Sequence, residues 1–107
     1  MNHRVAEIRK ELDLNQEEFA DRLGLKQTAL SMIESGKNAL TEKNIKIICS
    51  VLNVSETWLR TGIGPMFEAS PYEKEFFAVY KTLLPETQKA LLKFAKELLK
   101  VQKKTAK

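Results

Sequence analysis

The sequence is poor in the residues on which several classes of protein depend. Its single cysteine, Cys49, cannot form an internal disulfide, and its single histidine, His3, cannot build a histidine-based triad or metal cluster. No apolar run approaches the roughly 20 residues that span a bilayer, and the N-terminus lacks a signal-peptide core. We therefore expect a cytoplasmic protein that is not an enzyme, with no cofactor, catalytic site, metal site or membrane partner.

Glycine and proline are also scarce, with four and three residues, yet two glycines and one proline fall within residues 61–65. Within it, Gly62-Ile63-Gly64-Pro65 lacks the lysine and the serine or threonine of a phosphate-binding loop. It is unfavourable in any helix, so it is predicted to be a linker. The predicted domains are therefore residues 1–67 and residues 68–107.

Neither sign of charge dominates the first of these domains. Residues 1–67 carry nine Lys or Arg and nine Asp or Glu, whereas residues 68–107 carry nine lysines and five glutamates, which accounts for the whole net charge of +4. The overall charge thus does not locate a nucleic-acid surface. Local placement is more informative, since Lys26, Lys37 and Lys43 cluster at and just after a predicted helix.

Two short amphipathic helical patterns meet at Gly24. Their apolar faces consist of Phe19, Ala20 and Leu23 in the first and Ala29, Leu30 and Ile33 in the second. Glycine accepts the left-handed backbone of a sharp corner, and the small Ala20 allows the two helices to cross closely. This arrangement predicts a helix-turn-helix, whose second helix is shaped to enter the major groove of DNA.

Capping residues predict where the helices of the first domain begin and end. Asn15 with Glu18 matches the capping box, and Thr41 and Ser55 are suitable N-caps. The predicted helices cover about residues 2–12, 16–23, 27–35, 42–52 and 56–60. Cys49 falls on the apolar stripe of the fourth helix, which predicts a small buried side chain rather than a reactive thiol.

Several motifs of the first domain occur in a characteristic order. They are Leu14-Asn15-Gln16-Glu17-Glu18-Phe19-Ala20, Leu23-Gly24-Leu25 and Ile33-Glu34-Ser35-Gly36-Lys37, followed by Leu52-Asn53-Val54-Ser55, Trp58-Leu59 and Thr61-Gly62. In this order they resemble the Xre/Cro-type repressors, the family of the lambdoid-phage repressors. The resemblance covers about the first two-thirds of the chain and implies a five-helix DNA-binding domain.

The resemblance also implies which side chains contact DNA. In such a motif, exposed residues early in the second helix contact base edges, while surrounding donors hold phosphates. The implied base contacts are Gln27, Thr28, Ser31 and Met32. The predicted phosphate contacts are Gln16, Lys26, Lys37, Asn38 and Lys43.

Two further features of the same pattern affect the stability and the attachment of the second helix of the motif, the recognition helix. Lys26 stands where the family usually has a capping serine or threonine, and lysine cannot accept the N–H bonds of the helix. The missing cap costs about 0.5–2 kcal/mol, which a phosphate contact would offset. Arg9 and Glu34 match a family ion pair that joins the first helix to the recognition helix, a structural role.

The second domain begins with a helix-start signal and carries a wide apolar surface. Ser70, Pro71 and Glu73 occupy favourable N-cap, N1 and N3 positions, and Pro85 is predicted to open a last helix. The apolar surface exceeds what one helical hairpin can bury, so we expect a dimerisation segment. Its predicted interface residues are Phe76, Phe77, Tyr80, Leu91, Phe94 and Leu98.

The predicted fold is all-α, a five-helix phage-repressor-like helix-turn-helix domain followed by a two-helix dimerisation extension. The predicted function is sequence-specific DNA binding by a homodimeric transcriptional repressor, on an operator with half-sites roughly 34 Å apart. One alternative is an antitoxin-type regulator whose C-terminal helices also bind a partner protein, a toxin. Another is an interaction module that has lost DNA binding, which the neutral first domain favours slightly. A membrane-surface helix over residues 86–104 is the least favoured.

Overall fold

The computed structural model describes residues 1–104, and within them the chain is helical, with one isolated β-bridge between Val54 and Phe67. The helices are α1 (Asn2–Glu11), α2 (Gln16–Leu23), α3 (Gln27–Glu34), α4 (Glu42–Leu52), α5 (Glu56–Thr61), α6 (Glu73–Thr82) and α7 (Pro85–Lys104). The predicted all-α class is confirmed. The last three residues of the predicted second domain lie outside the described part of the chain.

The described residues form two compact units, one covering Met1–Glu68 and the other beginning at Ala69. The first contains α1 to α5, and the second contains α6 and α7. None of the helices within residues 1–104 is long and apolar enough to cross a membrane.

Side-chain caps set the starts of three helices in the first unit. Asn15 Oδ1 accepts the backbone N–H of Glu18 at 2.8 Å, and Asn15 N donates to Glu18 Oε1 at 3.0 Å, which is the predicted capping box. Thr41 and Ser55 each accept the N–H group three residues on, both at 3.2 Å. These bonds satisfy N–H groups that have no partner inside a helix. The predicted caps are confirmed, and the ends of α1, α3 and α5 differ from prediction by one residue.

The first unit encloses one apolar core to which all five of its helices contribute. Its largest fully buried side chains are Val5, Ile8, Phe19, Leu30, Ile45, Ile48 and Leu59. Burial of each side chain of this size contributes about 1.5–3 kcal/mol. Met66 and Phe67 also pack against the core after the linker, and Ser55 N donates to Met66 O at 2.8 Å. Cys49 is half-buried there, and burial raises the pKa of its thiol.

The second unit starts differently from its prediction. α6 begins at Glu73, so the expectation of a helix capped by Ser70 with Pro71 as its first residue is wrong. Ser70 Oγ instead accepts the N–H of Tyr72 at 3.2 Å, and Glu73 N donates to Ser70 O at 3.1 Å. The serine hydroxyl therefore closes a local turn that precedes the helix, as serine side chains commonly do.

The two helices of the second unit bury little between them. Among residues 69–103, no side chain is buried, and Tyr80 and Leu91 are only half-buried. Gln88 Nε2 donates to Tyr80 O at 2.9 Å, which joins the start of α7 to the end of α6. The Phe76 ring lies 6.2 Å from that of Phe77 and 6.4 Å from that of Tyr80. These ring contacts lie within α6, whereas the Gln88 bond joins the two helices.

Candidate nucleic-acid interface

α3 presents one face to the core and the other to solvent. Leu30 and Ile33 are buried on its inner face. The four predicted base-contacting side chains are all exposed: Gln27, Thr28, Ser31 and Met32. Gln27 and Ser31 are four positions apart, as are Thr28 and Met32, and residues at this spacing are neighbours on a helix surface. The structure therefore brings the four side chains together on one broad outward surface.

The corner between α2 and α3 fixes how α3 crosses the helix beneath it. Gly24 adopts the left-handed conformation with φ +70°, as predicted from its position between the two patterns. Leu25 N donates to Ala20 O at 2.9 Å and closes the end of α2. A side chain at Gly24 would meet no atom within 4 Å, so the requirement for glycine there is conformational rather than steric.

A nearly buried ion pair anchors α3 to the body of the unit. Arg9 Nε donates to Glu34 Oε2 at 2.9 Å and Arg9 Nη2 donates to Glu34 Oε1 at 3.2 Å. The side chains are 17% and 7% exposed, so both charges are largely withdrawn from water. Arg9 Nη1 also donates to Leu14 O at 3.0 Å. Two-point pairs of this kind restrict orientation as well as distance, and this one joins α1 to the end of α3.

Gln16 belongs to the same anchor. Its side chain is half-buried, and its Nε2 donates to Glu34 Oε1 at 3.2 Å, which adds α2 to the contact between α1 and α3. The amide nitrogen carries a second N–H group, so this bond does not exhaust its capacity to donate. A phosphate contact by Gln16 stays a prediction, whereas its contact with Glu34 is a role that the sequence did not indicate.

The chain after α3 is held by a residue that sequence reasoning missed. Asn2 Nδ2 donates to Ile33 O at 2.9 Å and to Asn38 O at 2.8 Å. Asn38 N in turn donates to Met32 O at 3.1 Å. An asparagine near the start of a helix indicates a local cap, and only the tertiary placement of α1 brings it to α3. The exposed Asn38 is therefore presented on a fixed segment.

Three exposed lysines accompany this surface. Lys26 is the N-cap of α3 in an extended conformation with φ −76°, and its side chain makes no capping bond, as predicted. The first N–H groups of α3 therefore have no side-chain acceptor from their cap, an arrangement that favours an anion nearby. Lys37 follows α3 and Lys43 lies in the first turn of α4, both exposed. All three side chains are accessible to a phosphate.

The edge of this surface toward α2 is acidic. A shallow groove of about 280 Å³ is lined by Glu17, Ala20, Asp21, Leu25 and Gln27. The carboxylates of Glu17 and Asp21, beside Gln27, repel a phosphate. They are suited to accept hydrogen bonds from the exocyclic amino groups of bases. The surface is therefore negatively charged at its edge toward α2 and positively charged at the three lysines.

A second polar network joins α4 to α5 and was not indicated by the sequence. Arg60 donates to both carboxylate oxygens of Glu42, at 3.0 and 2.5 Å, and to Glu56 at 3.0 Å. Lys46 Nζ lies 3.0 Å from Glu56 Oε1. Hydrogen bonding by Arg60 lowers the pKa of Glu42, and hydrogen bonding by Lys46 and Arg60 lowers that of Glu56. These cations are therefore engaged within the unit.

Within residues 1–104, no group of three His, Cys, Asp or Glu side chains is arranged to hold a metal ion. The exposed side chains of α3 and its flanks are hydroxyl, amide, thioether and ammonium groups. Such groups are suited to binding phosphates and base edges.

Comparison with known families gives one result. A family model described as helix-turn-helix, HTH_3, matches residues 5–59, slightly more than half of the chain. Searches of curated proteins and of solved structures found no match. The matched span begins in α1 and ends in α5, so it includes the α2–α3 corner, the Arg9–Glu34 anchor and the exposed face of α3.

Proposed function

The chain belongs to the helix-turn-helix family HTH_3, of the Xre type, and we propose that it is a homodimeric repressor that inserts α3 into the major groove. The family is one of DNA-binding regulators and is not a known enzyme family. The observation that carries the proposal is the exposed face of α3, on a helix whose opposite face is packed into the core.

Each exposed side chain of α3 has a chemistry suited to base edges. The Gln27 amide is able to donate to and accept from adenine at N6 and N7, the bidentate pairing that discriminates by about 1–3 kcal/mol. Thr28 offers a hydroxyl and a methyl group, and Met32 offers apolar contact to a thymine methyl. Ser31 lies on the same exposed face and donates or accepts one bond. We propose Gln27 as the main sequence-reading residue.

The proposed phosphate contacts surround that face. Lys26 and Lys37 lie just before and after α3, and Asn38 is fixed by its bonds to Asn2 and Met32. Gln16 at the start of α2 and Lys43 at the start of α4 complete the set. Phosphate contacts position the protein and make binding salt-dependent, whereas base contacts select the sequence.

The proposal of a homodimer is supported by the second unit. One helix-turn-helix contacts few base pairs, and two copies on a two-fold operator supply the affinity and specificity that regulation requires. Phe76, Phe77, Phe94 and Leu98 are between 48% and 60% exposed. Apolar side chains clustered on one hairpin in this way mark an interaction surface. We propose that a second copy of the chain covers them and places the half-sites roughly 34 Å apart.

The proposed interface is tested by the oligomeric state of the full chain. Light scattering should give a dimer at low micromolar concentration, and Phe94→Glu with Leu98→Glu should give a monomer. Lys96→Glu, on the opposite side of α7, is the matched control and should stay dimeric. A full-length monomer at high micromolar concentration would contradict the dimer. It would leave the apolar surface for a different protein, as in an antitoxin-type regulator.

The proposed operator binding is tested by selecting bound sequences from random duplex DNA. The expected result is an enriched sequence with two-fold symmetry, bound less tightly as salt increases. Recovery of no enriched sequence, together with no binding at low salt, would contradict DNA reading by α3 and favour an interaction module.

A further inference from the structure

α7 carries a line of lysines on one side. Lys89, Lys93, Lys96 and Lys100 follow one another at intervals of four, three and four residues, the spacing of one helix face. They extend over about 16 Å of the helix axis, and all four are exposed. We refer to these four residues as the lysine face.

Three of the four residues of the lysine face form no ion pair within the described chain, although Glu86 lines the same groove as Lys89, Lys93 and Lys96. Lys100 lies 3.5 Å from Glu97 Oε1 across one turn of the helix. In the described chain, no carboxylate forms an ion pair with Lys89, Lys93 or Lys96. Three adjacent ammonium groups on successive turns repel one another, so an anionic partner that spans several turns would be attracted to all of them at once.

The lysine face is separate from the apolar side of the same helix. At about 100° per residue, Leu91, Phe94 and Leu98 project from the side opposite the four lysines. If a second copy of the chain covers the apolar side, as proposed above, the lysine face stays outward and accessible. The helix therefore has two independent surfaces, one apolar and one cationic.

We propose that the lysine face binds the phosphate backbone of duplex DNA without reading its sequence, as a second DNA contact of this chain. The inference rests on the proposed function, which makes DNA the polyanion that the protein meets. The first part of the chain, residues 1–67, has equal numbers of acidic and basic side chains, and the whole excess of +4 lies in residues 68–107. Neutralisation of phosphates supplies essentially all sequence-independent affinity, and the lysine face supplies the charge for it.

The geometry favours DNA over a lipid surface. A helix that lies on a membrane buries its apolar side among the acyl chains. In that orientation the lysine face, on the opposite side of α7, would point to water, away from the anionic headgroups. DNA needs no such burial and is able to approach the lysine face while the apolar side is covered.

The test compares two full-length triple variants of equal net charge. One is Lys89→Gln, Lys93→Gln and Lys96→Gln, and the control is Lys10→Gln, Lys74→Gln and Lys81→Gln, three exposed lysines elsewhere. The probe is a duplex of scrambled sequence, bound at 50 and 200 mM salt. Each lost phosphate contact lowers the salt slope by about 0.9, so the loss of three contacts per chain lowers it by about 2.7. The fall in affinity from 50 to 200 mM salt should therefore be about 40-fold smaller for the first variant than for wild type. The control should follow wild type.

The outcomes separate this inference from the proposed function. Equal salt slopes for the two triple variants would overturn the inference and leave sequence-specific binding by α3 intact. If the wild type binds neither an operator nor the scrambled duplex, the proposed function itself fails. Binding to phosphatidylserine vesicles that only the first variant loses, with unchanged DNA binding, would assign the lysine face to lipid. Circular dichroism and light scattering should show that both variants keep the wild-type fold and oligomeric state.

Discussion

The two units of this chain differ in how much of their apolar surface they bury. The first unit, Met1–Glu68, buries residues from five helices in one core and keeps polar side chains outside on α3. The second unit has no buried side chain among residues 69–103, and it exposes large apolar ones. These include Phe76, Phe77, Val79, Leu92, Phe94, Leu98, Leu99 and Val101. A helical pattern with a strong apolar stripe therefore predicts burial, but it does not say whether the covering surface belongs to the same chain.

This difference suggests that the first unit serves recognition and the second serves association. In the first unit, stability comes from its own core, so the polar face of α3 is available for recognition. In the second unit, the apolar side chains of α6 and α7 stay exposed to water, and they would contribute to stability only when another surface covers them. We expect changes in the two units to affect different measurements, and the following predictions use this to test the account.

The largest effect is expected from a matched pair of phenylalanines. Phe19 is fully buried in the first unit, and Phe94 is 60% exposed in the second. Phe19→Ala should lower the free energy of unfolding by about 3–5 kcal/mol, because it leaves a cavity in the core. Phe94→Ala should instead weaken dimerisation. Urea unfolding measures the first effect, and concentration-dependent light scattering measures the second. Equal losses of stability in both variants would contradict the difference between the two units.

The next effect concerns the anchor of α3. Glu34→Ala removes one partner of a nearly buried pair and leaves the charge of Arg9 without its carboxylate. The expected cost is about 3 kcal/mol, together with weaker operator binding because α3 loses its attachment to α1. Glu42→Ala breaks an exposed pair with Arg60 and is the control, with a much smaller expected cost. A double-mutant cycle on each pair gives the two coupling energies, and similar values would refute the structural role of the anchor.

A smaller effect of opposite sign is expected at the start of α3. Lys26→Ser introduces a capping hydroxyl where the structure has none, which should stabilise the first unit by about 0.5–2 kcal/mol. The same change should reduce affinity for DNA and make its salt dependence shallower by about 0.9, the slope of one phosphate contact. Denaturant titration and DNA titration of one variant give both values. A gain in stability with unchanged salt dependence would mean that Lys26 does not touch phosphate.

The smallest effect is the pH dependence of the first unit. The pKa of Glu42 is lowered by its hydrogen bonds to Arg60, and that of Glu56 by its hydrogen bonds to Lys46 and Arg60. The folded state therefore binds these protons less readily than the unfolded state, whose glutamates have a pKa of about 4.3. The stabilisation is complete above that pH and is lost as the pH falls through the lowered values. Urea unfolding from neutral to acidic pH should show this, and Glu42→Gln with Glu56→Gln should flatten the profile.

The sequence predicted the parts of the structure that depend on local chemistry. Asn15, Thr41 and Ser55 cap the helices that their positions indicated, and Gly24 makes the left-handed corner. Caps and corners involve residues within a few positions of one another, so spacing along the chain is enough to identify them. The motif around this corner also identified the family, which the matched family model confirms.

The parts that the sequence did not predict depend on tertiary placement. Asn2 holds the end of α3 through bonds to residues more than 30 positions away, and Arg60 joins α5 to α4. The Ser70 prediction failed for a different reason. A serine before a proline also closes a short turn by itself, and here that local bond delays the start of α6 to Glu73.

DNA recognition by this protein depends most on the outward face of α3, which we propose reads bases. The most direct measurement is selection of bound duplexes by wild type, by Gln27→Ala and by Gln102→Ala, a glutamine control on α7. We predict that Gln27→Ala alone loses discrimination at one base pair of each half-site, by about 1–3 kcal/mol, and keeps its salt dependence. Identical preferences for all three proteins would contradict the claim.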